Sequence, residues 1–409
     1  MSSEPGARTP TVPVALAGSA AFINLYATQP LLPLLARTYH ASPLRAGLTV
    51  TAPTIVIALC APFIGGLADR LGLRRVIVGS ASFLAAATLL AATSRTLDQF
   101  IAWRLLQGVM TPGIFAGVVA YIHETWPAAR AGRGTAAYMT GTIIGGFTGR
   151  LVAGLVASVA PWQWSMVVLG LMSTAVAVVL YARLPDERKA PGWVARTHAL
   201  HVSQVTAMFQ NRQLVATFAI GSCILFTQVG MLTYVTFYLA APPFHLSTAA
   251  LGWLFLVYVM GATVVPFCGA FIDHYGHRTG LATAMGMGAC GVLLTLMPWL
   301  PSILLGLAIT STGVFVAQST TSAYIGAVTK QNRGLAVGVY STFYYIGGSL
   351  GGSVPAPFWV RGGWPACVAL IVAVQLSGVV VALTQWRRRG AGMHAEVRSE
   401  SLEVRTSDF

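Results

Sequence analysis

Gly65–Gly66–Leu67–Ala68–Asp69–Arg70–Leu71–Gly72–Leu73–Arg74–Arg75 decides how this chain is read, because a degraded copy stands half a chain length further on. Gly269, Asp273, Gly276 and Arg278 repeat the offsets of Gly65, Asp69, Gly72 and Arg74. Two further pairs keep nearly the same register. Tyr39–His40–Ala41–Ser42 matches Phe244–His245–Leu246–Ser247, and Arg133–Gly134 matches Arg333–Gly334. Chance does not produce three pairs in one register, so the chain consists of two homologous halves in tandem.

Composition says where those halves reside. The 409 residues are 55% hydrophobic and 9% charged, whereas soluble domains carry about a quarter charged residues. Crossing a bilayer takes about 20 apolar residues in helical form. Twelve such runs are present, at 12–36, 47–68, 76–94, 98–121, 134–158, 163–183, 213–240, 249–272, 279–299, 302–326, 335–358 and 364–386. Six fall in each half. The expected fold is an all-α membrane protein with twelve transmembrane helices in two pseudo-symmetric six-helix bundles. Residues 1–11 are expected to form a disordered cytoplasmic N-terminus, 12–183 the first bundle, 184–212 a cytoplasmic linker, 213–388 the second bundle and 389–409 a disordered cytoplasmic tail.

An even number of spans puts both termini on one side, and the excess of Lys and Arg in short loops chooses the cytoplasm. Arg70, Arg74, Arg75, Arg130, Arg133, Arg188, Lys189, Arg278, Lys330, Arg333 and Arg387–Arg389 then all fall on the cytoplasmic side. Only Arg37, Arg45, Arg95 and Arg361 fall outside, and Arg104 and Arg150 lie within spans. The formal charge of +14 is therefore a topology signal, and nucleic acid is not expected as a partner. The N-terminus lacks the charged region and cleavage site of a secretory signal, so the first span is expected to stay. Cys60, Cys223, Cys268, Cys290 and Cys367 all sit in apolar runs without metal-ligand spacing, as small buried residues do. His198 and His201 in the linker make no metal site by themselves. No metal and no cofactor are expected.

The local signals agree with helical hairpins. Ser42 and Ser247 fit N-caps of spans two and eight. Thr96 with Gln99 fits a capping box opening span four, which puts Asp98 in a helix first turn where its charge is favoured. Gln204 to Phe209 fits a short helix in the linker. Pro30 and Pro33 on span one and Pro112 on span four predict bends.

Twelve spans in two sixes, with a Gly-x-Leu-Ala-Asp-Arg-x-Gly-x-Arg-Arg loop after span two, resemble the major facilitator superfamily over about residues 12–388. Arg104–Leu105–Leu106–Gln107–Gly108 on span four resembles the Arg-x-x-Gln-Gly motif of its drug:proton antiporter branch. Asn24 to Pro33, Pro242 to Ser247 and Gly145–Gly146–Phe147–Thr148–Gly149–Arg150 are similar to the YnfM-type bacterial members of that branch. One departure stands out: where the antiporter motif of span five carries Gly-Pro, this chain has Gly145–Gly146, with Arg150 following. The resemblance implies that Asp69 docks near a helix N-terminus of span eleven and latches the outward-open form. Gly65, Gly72, Arg70, Arg74, Glu124 and Asp273 complete that set, with Arg74 expected beside Glu124. The rival reading is that these arginines only set topology.

Arg104 and Arg150 are the costliest residues in the chain, because a charge deep in a span must be solvated or paired. The family reading places Arg104 at a cavity facing Asn24, Thr28 or Gln29, with Gln107 one turn away. The alternative is an arginine hydrogen bonded to helix-end carbonyls of span one. Gly141, Gly145 and Gly149 form a small-xxx-small face that span eleven repeats without the arginine. Arg150 follows that face and either lines the cavity or snorkels outward. On span seven, Thr227, Met231, Tyr234 and Tyr238 share one face with Gln228 beside it, suited either to an amphipathic solute or to packing. The expected solute-binding set is Asn24, Tyr26, Gln29, Arg104, Gln107, Arg150, Gln228, Tyr234 and Tyr238.

The expectation is a secondary transporter that exports a small organic solute across the bacterial inner membrane by alternating access, as a proton-coupled monomer without catalytic residues. A same-class rival is carriage or exchange of a small organic anion bound by Arg104 and Arg150. A non-transporting membrane receptor is the different-class rival. None of the eleven acidic residues lies inside a span. A coupling proton would therefore bind near an end of the pathway, with Asp98 first in line, or travel on the solute.

Overall fold

The computed structural model describes residues 11–187, 202–329 and 333–386, and all of their regular structure is helical. His198 and His201, Arg387–Arg389, the tail and the side chain of Asp273 lie outside the described residues. The first half holds spans Thr11–Thr38, Pro43–Leu71, Leu73–Ala91, Leu97–Thr125, Ala129–Val159 and Gln163–Arg183. The second begins with Arg212–Ala240. It continues with a broken span, Thr248–Leu254 then Leu256–Tyr275, followed by His277–Leu294, Leu300–Val328 and Arg333–Ser353. The final stretch Pro355–Gln385 breaks at Gly363, where φ is 60°. Residues before that break complete span eleven, and span twelve runs from Trp364.

Among the described residues, nine helices meet length and apolarity limits for crossing a membrane. The broken eighth span, the glycine-rich ninth and the eleventh complete the two sixes by position. Each packs as its first-half counterpart does. Span one lies along five and seven along eleven; three lies along four and nine along ten. The two halves meet where span two crosses eleven and span five crosses eight. Large apolar side chains such as Leu59, Phe63, Leu171, Tyr181, Val360 and Val380 stay exposed. Such an exposed apolar surface suits a lipid environment rather than water.

The repeat read in the sequence is written in the backbone. His40 and His245 both take positive φ (47° and 49°), as do Gly72 and Gly276 (91° and 83°). Those glycines end the second and eighth spans in a conformation that L side chains resist, and Gly72 N–H donates to the Ala68 carbonyl, as Gly276 N–H does to Ile272. Ser42 and Ser247 cap the following helices by accepting from the N–H groups of Arg45 and Ala250. Thr96 accepts from Gln99 N–H, while the Gln99 side chain accepts from Arg95 N–H, one residue short of a standard capping box.

Two packing devices set the core. The Gly141–Gly145–Gly149 face lies so close to span one that a methyl group would collide with Ala15, Ser19 and Ile23 backbone. Gly347 and Gly351 approach Ser222 and Phe226 of span seven in the same way. The linker helix Val202–Gln210 matches the expected Gln204–Phe209 stretch and sets Phe209 against Phe218 and Phe343. At the start of the linker, Glu187 is buried and accepts from Arg74 N–H at the opening of span three. The Arg74 guanidinium, expected beside Glu124, donates to the carbonyls of Tyr181 and Leu184 at the end of span six. Cations suit that helix end. Asp69 and Arg70 sit exposed on the last turn of span two.

A buried arginine pair on the break in span one

Pro30 and Pro33 cannot donate backbone hydrogen bonds, and span one stops being α-helical at Leu25. It resumes as a 3-10 turn, Gln29–Leu31, and then as Leu32–Thr38. A helix end leaves carbonyls without intrahelical donors. Here they are met by Arg104, which is 1% exposed. Its guanidinium donates to Asn24 O (2.9 Å), to Leu25 O and, across to span two, to Thr49 O (2.8 Å). A fourth bond goes to the Gln107 side chain. Four of its five N–H groups are thereby spent.

A buried network extends from this grip. Gln107 donates to Thr88 at 3.1 Å, Thr88 donates to the Asn24 side chain at 3.1 Å, and Asn24 donates to Ser173 at 2.8 Å. Spans one, three, four and six are so tied together. Of the two readings left open for Arg104, this geometry matches hydrogen bonding to helix-end carbonyls. Asn24 and Gln107, expected at the solute, face inward to this network.

Arg150 grips the other side of the same break. It is 2% exposed. Its Nε donates to Gln29 Oε1 at 2.7 Å, and Nη1 donates to its own helix at Gly146 O, also 2.7 Å. Three rings surround the guanidinium: Phe255 at 4.8 Å, Tyr26 at 5.0 Å and Tyr258 at 5.2 Å from the central carbon. Nη2 donates to none of the described residues, and Arg150 has no ion pair among them. The side chain therefore does not snorkel to the outer interface. It points between the halves, because Phe255 and Tyr258 belong to span eight.

Gln29 ties the halves together. It is fully buried, and while its oxygen accepts a hydrogen bond from Arg150 Nε its own Nε2 donates to Thr233 of span seven at 3.2 Å. Near it, Thr51 donates to Ser349 O at 3.2 Å and Ser349 donates to Thr54 Oγ1 at 2.9 Å, joining spans two and eleven. A methyl group on Gly47 would meet Gly352 O at 2.8 Å. These four contacts lie toward the face opposite the termini, which is closed. On the termini side of Arg150, Phe115 of span four stacks on Tyr345 of span eleven at 5.6 Å.

The remaining expected residues divide. Tyr26 joins the cluster; its hydroxyl is buried without a hydrogen-bond partner among the described residues. Gln228 is 6% exposed, and neither amide atom has a partner among the described residues. Tyr234 and Tyr238 are placed elsewhere. The Tyr234 hydroxyl donates to Gly352 O at 3.1 Å as part of the closure. Tyr238, two residues from the end of span seven, stacks on Trp364 at 5.7 Å. Asp98 pairs with Arg45 on the surface, with side chains 73% and 52% exposed. The sequence reading missed Thr233, Phe255, Tyr258 and Ser349. Only the aromatic pair at the break of span eight carried a signal, and it was hidden in an apolar run.

The sequence profile of the Major Facilitator Superfamily matches residues 14–352 and 239–398. An uncharacterized MFS-type transporter of Bacillus subtilis, YybF, is 30% identical over 88% of this chain and 91% of its own. The inner membrane transport protein YnfM of Escherichia coli is 28% identical over 91% of this chain and 89% of its own. The crystal structure of the nucleoside transporter NupG superposes with a TM-score of 0.70 at 14% identity, covering 93% of this chain and all of that one. That last likeness concerns the fold alone.

Proposed function

Because the chain belongs to the Major Facilitator Superfamily, we propose that it carries a small organic solute across the bacterial inner membrane by alternating access, binding it at the Arg150 cluster. One observation supports this reading above the others. A buried guanidinium with unspent donors lies directly beneath the contacts that close one face, and it is walled by residues of both halves. A site at the midplane between pseudo-symmetric halves is what rocking about a fixed ligand requires. Opening the closed face means separating Gln29 from Thr233 and Thr51 and Thr54 from Ser349. The proposed topology keeps both termini cytoplasmic, so the closed face is the periplasmic one.

Proton-driven export is the mode in keeping with the Arg-x-x-Gln-Gly motif. A second reading, carriage or exchange of an organic anion, is favoured by Arg150, which carries no ion pair among the described residues. The monomeric chain has the whole site within its two halves. Flux decides among these modes. Purified protein is screened for thermal stabilisation by drugs, sugars and organic acids, then reconstituted, and transport of each stabilising compound is followed with and without an imposed pH gradient. Flux that tracks the gradient supports proton coupling. Flux indifferent to it rejects coupling and leaves uniport or anion exchange. Absence of flux for every stabilising compound supports the receptor reading.

A further inference from the structure

We infer that the solute is a monoanion with an apolar body, and that Arg150, without help from Arg104, takes its carboxylate. This rests on the transporter reading above and deepens it. A guanidinium withdrawn from water needs compensation, and a buried charge left alone is costly. Arg104 obtains that compensation from four acceptors within its own half. Arg150 obtains two, Gln29 and Gly146, and three π-faces. Rings soften a cation's isolation without neutralising it.

The acidic residues of the chain offer nothing more. All eleven lie in loops, tails or span ends, so none reaches Arg150 from a span interior. The missing counter-charge has to arrive with the ligand. One arginine matches one negative charge; a second would be left buried and unpaired.

The surroundings fix the rest of the chemistry. Tyr26 contributes a second donor, its buried hydroxyl having no partner among the described residues. A carboxylate accepts from a guanidinium and a hydroxyl together. Tyr26, Phe255 and Tyr345 belong to one continuous apolar cluster, against which Phe115, Tyr258 and Tyr344 pack. Such walls accept an aromatic or aliphatic body and offer little to a sugar.

Gln29 makes the inference testable without knowing the natural ligand. Its oxygen already accepts from Arg150 Nε, so Gln29→Glu places a built-in counter-ion on the guanidinium, with the Thr233 hydroxyl free to donate to it. The wild-type protein and this variant are compared by thermal unfolding in detergent. The probes are benzoate and indole-3-acetate as monocarboxylates, phthalate as a dianion, benzamide as a neutral amide and benzylamine as a cation. The wild type should be stabilised by at least one monocarboxylate and by none of the other three. Gln29→Glu should unfold at a higher temperature without ligand, and its apparent affinity for that monocarboxylate should fall at least tenfold. Arg150→Ala, if it folds, should lose the same response. The inference is overturned if neither monocarboxylate stabilises the wild type, if benzamide, benzylamine or phthalate does as well, or if the response survives Gln29→Glu. Any of those results leaves the transporter reading standing, since flux of whichever compound does bind tests it separately.

Discussion

Removing the Arg104 side chain should damage folding before it damages binding. Arg104→Ala strips the donors from Asn24 O, Leu25 O and Thr49 O, all at or beside the break in span one. Each buried carbonyl left unpaired costs about 1–3 kcal/mol. With Asn24 O rescued by the turn bond from Ala27 N–H, the two remaining carbonyls cost roughly 2–6 kcal/mol together. Arg104→Lys retains a charge with three donors but loses the planar fork, so it should recover part of that loss. The assay is thermal or denaturant unfolding of the purified variants, read beside ligand-induced stabilisation. Both variants should unfold earlier than the wild type, alanine before lysine. If Arg104→Ala unfolds like the wild type yet no longer responds to ligand, Arg104 contacts the solute and the structural reading is wrong.

Gly149→Ala should cripple folding, because the added methyl meets the Ile23 carbonyl, whereas Gly79→Ala should be silent, with nothing within 4 Å; expression and size-exclusion profiles separate the two. Asp69→Asn should reduce flux sharply while leaving the protein folded, and Asp273→Asn should do less, since the second loop lacks the Leu-Ala-Asp-Arg core; equal losses in proteoliposome flux would reject the asymmetry. Asp98→Asn should leave thermal stability almost unchanged, because exposed pairs contribute little, yet alter the pH dependence of flux more than Glu124→Gln does. The reverse order would move the coupling proton to the other end of span four.

Much of the fold was legible because its signals are local or periodic. The glycine at each positive-φ turn, the serine caps and the twelve apolar runs follow from single residues and composition, and the repeat fixes which spans correspond. The candidate site was legible only in part. Arg104 and Arg150 announced themselves by cost, since each is a charge inside an apolar run. Their partners did not. Arg104 is held mostly by main-chain carbonyls, which no side-chain pattern reveals: Asn24 O and Leu25 O stand where span one leaves the α-helix ahead of Pro30 and Pro33, and Thr49 O of span two lacks its helical donor because position 53 is proline. Phe255 and Tyr258 reach Arg150 beside the break of span eight at Phe255, which no proline marks; Gly252, one turn earlier, is a single glycine in an apolar run and did not announce it. Tyr234 and Tyr238 share a face with Thr227 and Met231, as expected. That face, however, runs up into the closure, so helical periodicity gave the direction without the depth.

If the protein works by alternating access, spans two and eleven must part for solute to cross. Ser349 Oγ and Thr54 Oγ1 stand 2.9 Å apart, so cysteines at both positions should join when oxidised. Thr54→Cys/Ser349→Cys protein, reconstituted and given a solute that stabilises the wild type, should cross-link readily in the absence of ligand. Its flux should stop on oxidation and return on reduction. Undiminished flux through the fully cross-linked protein would contradict alternating access at this face.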